Sequence, residues 1–257
     1  MAVNEHGDEG IPRASGDAVA RVASRAVSST PSGPPPASDP SPAEHYFTGR
    51  LAGRPAGDDE REVLEVRLRG RDLEVETAPG VFSAGRLDLG TRVLLREAPT
   101  PPDGGHLLDL GCGWGPLALA MAAEAPGAVV WAVDVSERAL DLVRRNADRL
   151  GLPGVRAVLP SEVPDDVVLA GLWSNPPIRV GKDALHALLL RWLPRLAPGA
   201  DAHLVVQRNL GADSLQAWLG GALPAPLEAT RAGSAKGYRV LRVRRPADGA
   251  AGTHATS

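Results

Sequence analysis

The chain has one cysteine, Cys112. With no second thiol, no internal disulfide can staple the fold, and burial of apolar surface must hold it together. No apolar run approaches the roughly 20 residues that a membrane helix needs. A basic start followed by an apolar segment is also missing from the N-terminus, so the expectation is a soluble, cytoplasmic protein with no membrane partner. Excess charge of either sign is absent: a net charge of -3 and a pI near 6.1 give no global pull toward nucleic acid, so any RNA contact must come from a local patch. Lysine occurs only at Lys182 and Lys236 in an otherwise arginine-rich chain. No His/Cys spacing points to a metal. Nothing in the sequence indicates an oligomeric state.

What is present is enough for a real core, with 257 residues, 43% hydrophobic and 23% charged. Composition breaks near residue 43. Residues 1–43 are dominated by Ser, Pro, Ala, Gly and Asp, as is 246–257, and such segments cannot offset their ordering entropy, so both are expected to be disordered tails. Residues 44–100 read as a small β/helix module, with a hairpin over 63–68 and 73–77 and then a Gly-bearing loop, "APGVFSAGRLDLG", leading into a short helix. Residues 101–245 alternate short aliphatic runs with longer amphipathic ones, the pattern of a parallel sheet covered by helices. Strands are expected over 106–110, 129–135, 155–159, 167–173 and 203–207, with 237–244 as the closing strand. Pro116 suits a first helical turn, Ser136 caps the helix that Gly151 ends, and a further helix covers 183–193.

Two motifs carry chemistry. In "LLDLGCGWGPLALA" a strand ends at Asp109, and Gly111, Gly113 and Gly115 turn the chain into a helix. A ligand can there approach bare backbone and helix N–H groups, with the small Cys112 side chain between the glycines. The spacing is G-x-G-x-G, tighter than the G-x-G-x-x-G of dinucleotide folds. Asp109 can accept from an ammonium group while the glycines lie against an amino-acid moiety, which describes the methionine half of S-adenosylmethionine. In "WAVDVS", Asp134 stands at the tip of the next strand, followed by Val135, where a carboxylate can accept from both ribose hydroxyls. Singly, Asp109 reads equally as a strand-end cap and Asp134 as a helix N-terminal charge. Together they favour a cofactor.

With these residues the chain resembles the class I S-adenosylmethionine-dependent methyltransferases. The segments "HYFTG", "TAPGVFSAGRLDLGTRVLL", "LWSNPPIRVGK", "HLVVQRNLGADSLQAWL" and "SAKGYRVLRV" narrow the resemblance to the catalytic half of small-subunit ribosomal RNA guanine-N2 methyltransferases and their single-domain relatives. It implies a Rossmann-like, seven-stranded, mostly parallel sheet with helices on both faces, preceded by the short β-containing module. It also implies S-adenosyl-L-methionine as cofactor and RNA as partner. The larger bacterial members carry an additional degenerate half in front, which does not stand in this chain.

The resemblance sets Asn175-Pro176-Pro177 at the end of the fourth strand, beside the methyl to be transferred. The Asn175 side-chain oxygen and the Pro176 carbonyl can both accept from a planar NH2, whose lone pair is otherwise delocalised, and the prolines fix those acceptors in place. Pro177 offers no competing donor. Many relatives have Phe or Tyr after the second proline, where this chain has Ile178, so stacking on a flat base falls to Arg179 or Phe82. Phe82 and Ser83 form a lip over the cofactor by the same resemblance. Lys182 and Arg179 are candidates for phosphate contact. The adenine contact is sought among Ser161, Glu162 and Asp165. Rival readings are a protein glutamine-amide N-methyltransferase, which shares the N-P-P logic, and a nonenzymatic cofactor- or RNA-binding scaffold.

Overall fold

A computed structural model describes residues 53–248. The tail expected over 1–43, and residues 249–257 of the second one, lie outside the described residues.

Strands β1 (Glu62–Leu68) and β2 (Arg71–Thr77) form an antiparallel hairpin in register from Glu62↔Thr77 to Leu68↔Arg71. Its two-residue turn, Arg69-Gly70, has both φ values positive, as a turn matching the twist of the strands requires. Arg69 is held in that conformation by its own guanidinium. Nε donates to Glu124, and Nη1 donates to the carbonyls of Leu95 (2.6 Å) and Ala98 (2.9 Å). Those carbonyls belong to the end of helix α1 (Leu89–Glu97), so the turn also caps that helix.

The main sheet has seven strands in the order β5-β4-β3-β6-β7-β9-β8. β3 (His106–Leu110), β4 (Val129–Val133), β5 (Val155–Val158), β6 (Leu169–Ser174) and β7 (Leu196–Gln207) are parallel. β8 (Glu228–Ala235) and β9 (Tyr238–Arg244) run antiparallel to their neighbours. Helices α2 (Pro116–Glu124), α3 (Glu137–Arg149), α4 (Lys182–Trp192) and α5 (Ala212–Ala222) connect them. Alternate strand residues feed two apolar clusters. Leu107, Val130 and Ala132 pack with α1, α2, α3 and the hairpin, whereas Leu108, Leu110 and Val133 pack with α4 and α5. A sheet covered on both faces needs such continuous apolar strands.

Three expectations change. The strand expected to begin at 203 starts at Leu196, which pairs with Leu169 of β6; the register then shifts so that pairing with β6 resumes at Asp201, and Gly199 and Ala200 in between bond to the backbone of Arg245. The 237–244 segment does not close the sheet: β9 lies between β7 and β8, and β8 is the edge. Its sequence, "EATRAGSA", lacks β-branched alternation and is largely exposed, so only pairing with β9 makes it a strand. The arginines of "RVLRVRR" therefore stand on or just after an interior strand. Arg239 pairs with Asp213 and Arg244 with Asp201 at 3.3 Å. Finally, the sequence reading assigns no helix to "ADSLQAWLGGA", which forms α5.

The hairpin is bolted to the sheet by side chains buried in α3. Asn146, fully buried, accepts from Glu76 N and donates from Nδ2 to the Glu76 and Trp114 carbonyls, tying β2 to the glycine loop. Arg138, also fully buried, pairs with Glu60 at 3.0 Å and donates to the Pro79 carbonyl.

Candidate active site

The carboxyl ends of β3, β4 and β6 meet where the chain leaves β3 in opposite directions, the crevice in which open α/β sheets bind ligands. There a cleft of about 670 Å³ is lined by Gly111, Asp134, Val135, Asn175, Pro177 and Ile178, among others. A smaller recess of about 10 Å³ beside it is lined by Asp109, Cys112, Gly113, Pro116 and Phe82, among others.

The glycine loop works differently from the expectation of free amides. Gly111 N and Cys112 N both donate to the Val133 carbonyl, Gly115 N donates to Cys112, and Gly113 N donates to Asp134 Oδ2 at 3.0 Å. What the loop offers a ligand is close approach. Gly111, Gly113 and Gly115 all have positive φ, and a Cβ on Gly115 would stand 3.0 Å from Val143, so no side chain fits at the entry to α2.

Asp109 is fully buried. Its Oδ2 accepts from Ala118 N at 2.9 Å, while Oδ1 has no hydrogen-bond partner among the described residues. Burial pushes its carboxyl up to about 8; the charge of Asp134 adds to that, and the Ala118 amide offsets part of it. Asp134, half-buried, accepts from Gly113 N and Ser136 N, both at 3.0 Å, and its carboxyl is likewise raised by burial. Two neighbouring carboxyls, Asp109 on the smaller recess and Asp134 on the adjoining cleft, are what a cationic ligand relieves. The Cys112 thiol is buried and pushed well up by burial first, so it is not poised as a nucleophile.

Asn175 directly follows β6, and its Nδ2 donates to Asp88 Oδ2 (2.9 Å) and Thr91 Oγ1 (3.1 Å). No described residue donates to its Oδ1. The Pro176 carbonyl accepts from Ile178 N at 2.8 Å, which leaves it one lone pair. Phe82 is 61% exposed at the rim of both recesses, with its carbonyl 3.8 Å from where a Gly113 Cβ would stand. Ser83 lines the smaller recess and its hydroxyl donates to the Arg86 carbonyl. Lys182 is exposed at the start of α4, between lining residues Val180 and Ala184, and does not itself line the cleft. The Arg179 side chain lies outside the described residues. None of Ser161, Glu162 and Asp165 reaches the lining, where Pro160 stands instead, and Glu162 is turned to the amide of Leu159.

Sequence reasoning missed Asp88, Thr91, Gln207 and Tyr238, all of which line one recess or the other. "DLGT" was legible as an N-cap, since Asp88 accepts from Thr91 N at 3.0 Å, but nothing local tied it to Asn175, 87 positions away. Among the described residues no group of three or more His, Cys, Asp or Glu is placed to hold a metal, and no helix is long and apolar enough to cross a membrane.

Residues 72–242 match the family described as methyltransferase small domain. The chain belongs to that family. It is a class I S-adenosylmethionine-dependent methyltransferase, with S-adenosyl-L-methionine as its cofactor. The site fits that cofactor: Asp109 Oδ1 lacks a cationic partner, the glycines admit close approach, and the cleft is of small-molecule size. This methyltransferase is 32% identical to the uncharacterized protein YbxB of Bacillus subtilis over 67% of its own length and 85% of that protein's. It is 38% identical to ribosomal RNA small subunit methyltransferase C of Pseudomonas aeruginosa over 56% of its length, spanning only 44% of that relative. Its fold superposes on the T. thermophilus 16S rRNA N2 methyltransferase (RsmC), solved with AdoMet and guanosine, with a TM-score of 0.64 at 24% identity, over 74% of this chain and 52% of that one. At that identity the likeness is one of fold.

Proposed function

We propose that this methyltransferase transfers a methyl group to the exocyclic amine of a guanine in ribosomal RNA. One observation carries the reading. Asp109, Asp134 and Asn175 close three adjacent strands on one crevice, and Asn175 has its NH2 held from behind while Oδ1 takes no donor from any described residue.

S-adenosylmethionine, when bound, supplies an electrophilic methyl on a sulfonium. Asp109 Oδ1 accepts from the ammonium of its methionine half, against Gly111, Cys112, Gly113 and Gly115. Asp134 accepts from the ribose hydroxyls, and Val135 contacts the nucleoside. Asn175 Oδ1 and the remaining lone pair of Pro176 accept the two N–H bonds of the guanine amine. That favours a pyramidal nitrogen with its lone pair turned toward the methyl. Pro177 and Ile178 form the apolar floor under the base, and Phe82 covers it. Rate then comes from orientation, which contributes up to about 7–11 kcal/mol in favourable systems. No strong base is needed, because the methylated nitrogen is acidic and loses its proton to water.

A flat base with a charged backbone is favoured over a peptide by the rim. Arg208 follows the lining residue Gln207, Arg86, Lys182 and Lys236 each stand two positions from a lining residue, and none of the four has a side-chain partner among the described residues. By contrast, Arg61, Arg69, Arg138 and Arg149, around the hairpin, are all ion-paired. Such cations, together with an exposed Phe82 on the rim, are suited to phosphates flanking an extruded base. The same reading gives Arg179 a phosphate contact.

Incubation with methyl-labelled cofactor and either small ribosomal subunits or a glutamine-bearing protein substrate tests the proposal. Label in RNA, mapped by nucleoside mass spectrometry to a guanine, is the expected result. Label in protein would favour the glutamine-amide reading, and label in neither a scaffold.

A further inference from the structure

We infer that Asp88 is a positioning residue: it fixes which end of the Asn175 carboxamide faces the substrate, and so makes the N-terminal cap of α1 part of the catalytic geometry. The inference rests on the reading of Asn175 as the acceptor of a planar amine.

The two ends of an asparagine amide are alike in size and opposite in hydrogen bonding. An Asn175 turned by half a rotation would present two donors to the amine's own donors and could not orient it. Pro176 and Pro177 fix the backbone but not this rotation. Thr91 Oγ1, 3.1 Å from Nδ2, does not fix it either, since a hydroxyl accepts as readily as it donates. Asp88 does. An ionised carboxylate only accepts, so its Oδ2, 2.9 Å from Nδ2, tolerates the NH2 end and repels the oxygen.

The carboxylate is itself held on three sides. Oδ2 accepts from Thr91 N at 3.0 Å as the N-cap of α1, and Thr91 is buried. A Cβ on Gly90 would stand 2.9 Å from both Asp88 Oδ2 and Tyr238 Cε1, so only glycine lets the carboxylate and the ring close on this turn. The Tyr238 hydroxyl has its pKa raised by burial first and then by the charge of Asp88, which places the two groups close enough to interact. One oxygen thus joins the start of α1 to the end of β6 across 87 positions of sequence.

Capping alone would make Asp88 structural, so the test separates the two roles. Asn and Ser cap helices about as well as Asp. In Asp88→Asn the amide oxygen can still accept from both Thr91 N and Asn175 Nδ2. In Asp88→Ser the shorter hydroxyl can cap, but it also donates and no longer discriminates the two ends of Asn175. Steady-state methyl transfer is measured for both variants, together with cofactor affinity and melting temperature. The expected result is that Asp88→Asn retains kcat within about threefold, while Asp88→Ser loses about tenfold or more, with KM and cofactor Kd unchanged in both. Equal kcat for the two variants would overturn the proposal. If Asp88→Ser melts early, the two variants are compared at a temperature where both remain folded, and equal kcat there would overturn the proposal. Wild-type protein that labels protein and not RNA would overturn the guanine reading alone, and the variants are then compared on the labelled protein. Wild-type protein that labels neither would overturn both.

Discussion

Asp109 turns one carboxylate oxygen to the amide of Ala118 and leaves the other buried without a partner among the described residues. The two readings open to it from sequence, strand-end cap and ammonium acceptor, thus fall on different oxygens of one residue and do not compete. The pairing has a cost for the empty protein. With its carboxyl pushed up to about 8, Asp109 is largely protonated at neutral pH, and an ammonium partner requires it ionised. Cofactor binding at pH 7 should therefore release a proton, seen as a binding enthalpy that varies with buffer ionisation enthalpy, and affinity should rise between pH 6 and about 8. Asp109→Asn should abolish the proton release and weaken binding by about 10–100-fold.

The same shift predicts a stability trend. A carboxyl whose folded pKa lies above its ordinary 3.8 binds protons more tightly folded than unfolded between 3.8 and about 8, so its contribution to stability falls as pH rises through that window. The ligand-free melting temperature should decline toward pH 8 more steeply in the wild type than in Asp109→Asn. A parallel decline in both would remove Asp109 as the cause.

Asn175→Ala should leave cofactor affinity within about twofold and lower kcat by about 100-fold or more, the loss typical of removing one preorganised group at the reacting centre. Calorimetry and single-turnover kinetics separate the two. Retained turnover would take Asn175 out of the mechanism.

Asp134→Ala should weaken cofactor binding by about tenfold or more, since it removes the proposed ribose acceptor and also frees the Gly113 amide that shapes the loop. Calorimetry reads the change directly, and unchanged affinity would count against the ribose assignment.

Asn146→Ala strips buried partners from Glu76 N, Glu76 O and Trp114 O at once, and should cost about 3 kcal/mol in denaturant unfolding. The glycine loop depends on one of those bonds. The variant should therefore bind cofactor more weakly even at temperatures where it remains folded.

Much of the fold was legible because its signals are local. Alternating aliphatic runs marked β3 to β6 to within one or two residues, Pro116 and Ser136 marked helix starts, and the three glycines marked the turn between them. The edge strand β8 was not legible: its small and polar residues carry no strand preference of their own, and β9 imposes the conformation by pairing. The candidate site divides the same way. Asp109, Asp134 and Asn175 each follow an aliphatic run at a strand end, a position that sequence spacing reveals. Asp88 and Thr91 reach the site through a helix cap far upstream, and Tyr238 through a strand that returns antiparallel, so no spacing announces them.

By itself, then, the chain determined which residues end strands and which turns only glycine can make, because backbone conformation and apolar periodicity are set within a few positions. What tertiary structure alone decided is the direction of the groups at those ends: the oxygen of Asp109 left over after the Ala118 amide is served, and the end of Asn175 left facing the cleft once Asp88 has taken the other. Hydrogen bonding is directional and its partners here lie up to 87 positions apart, so only the folded chain brings them within reach.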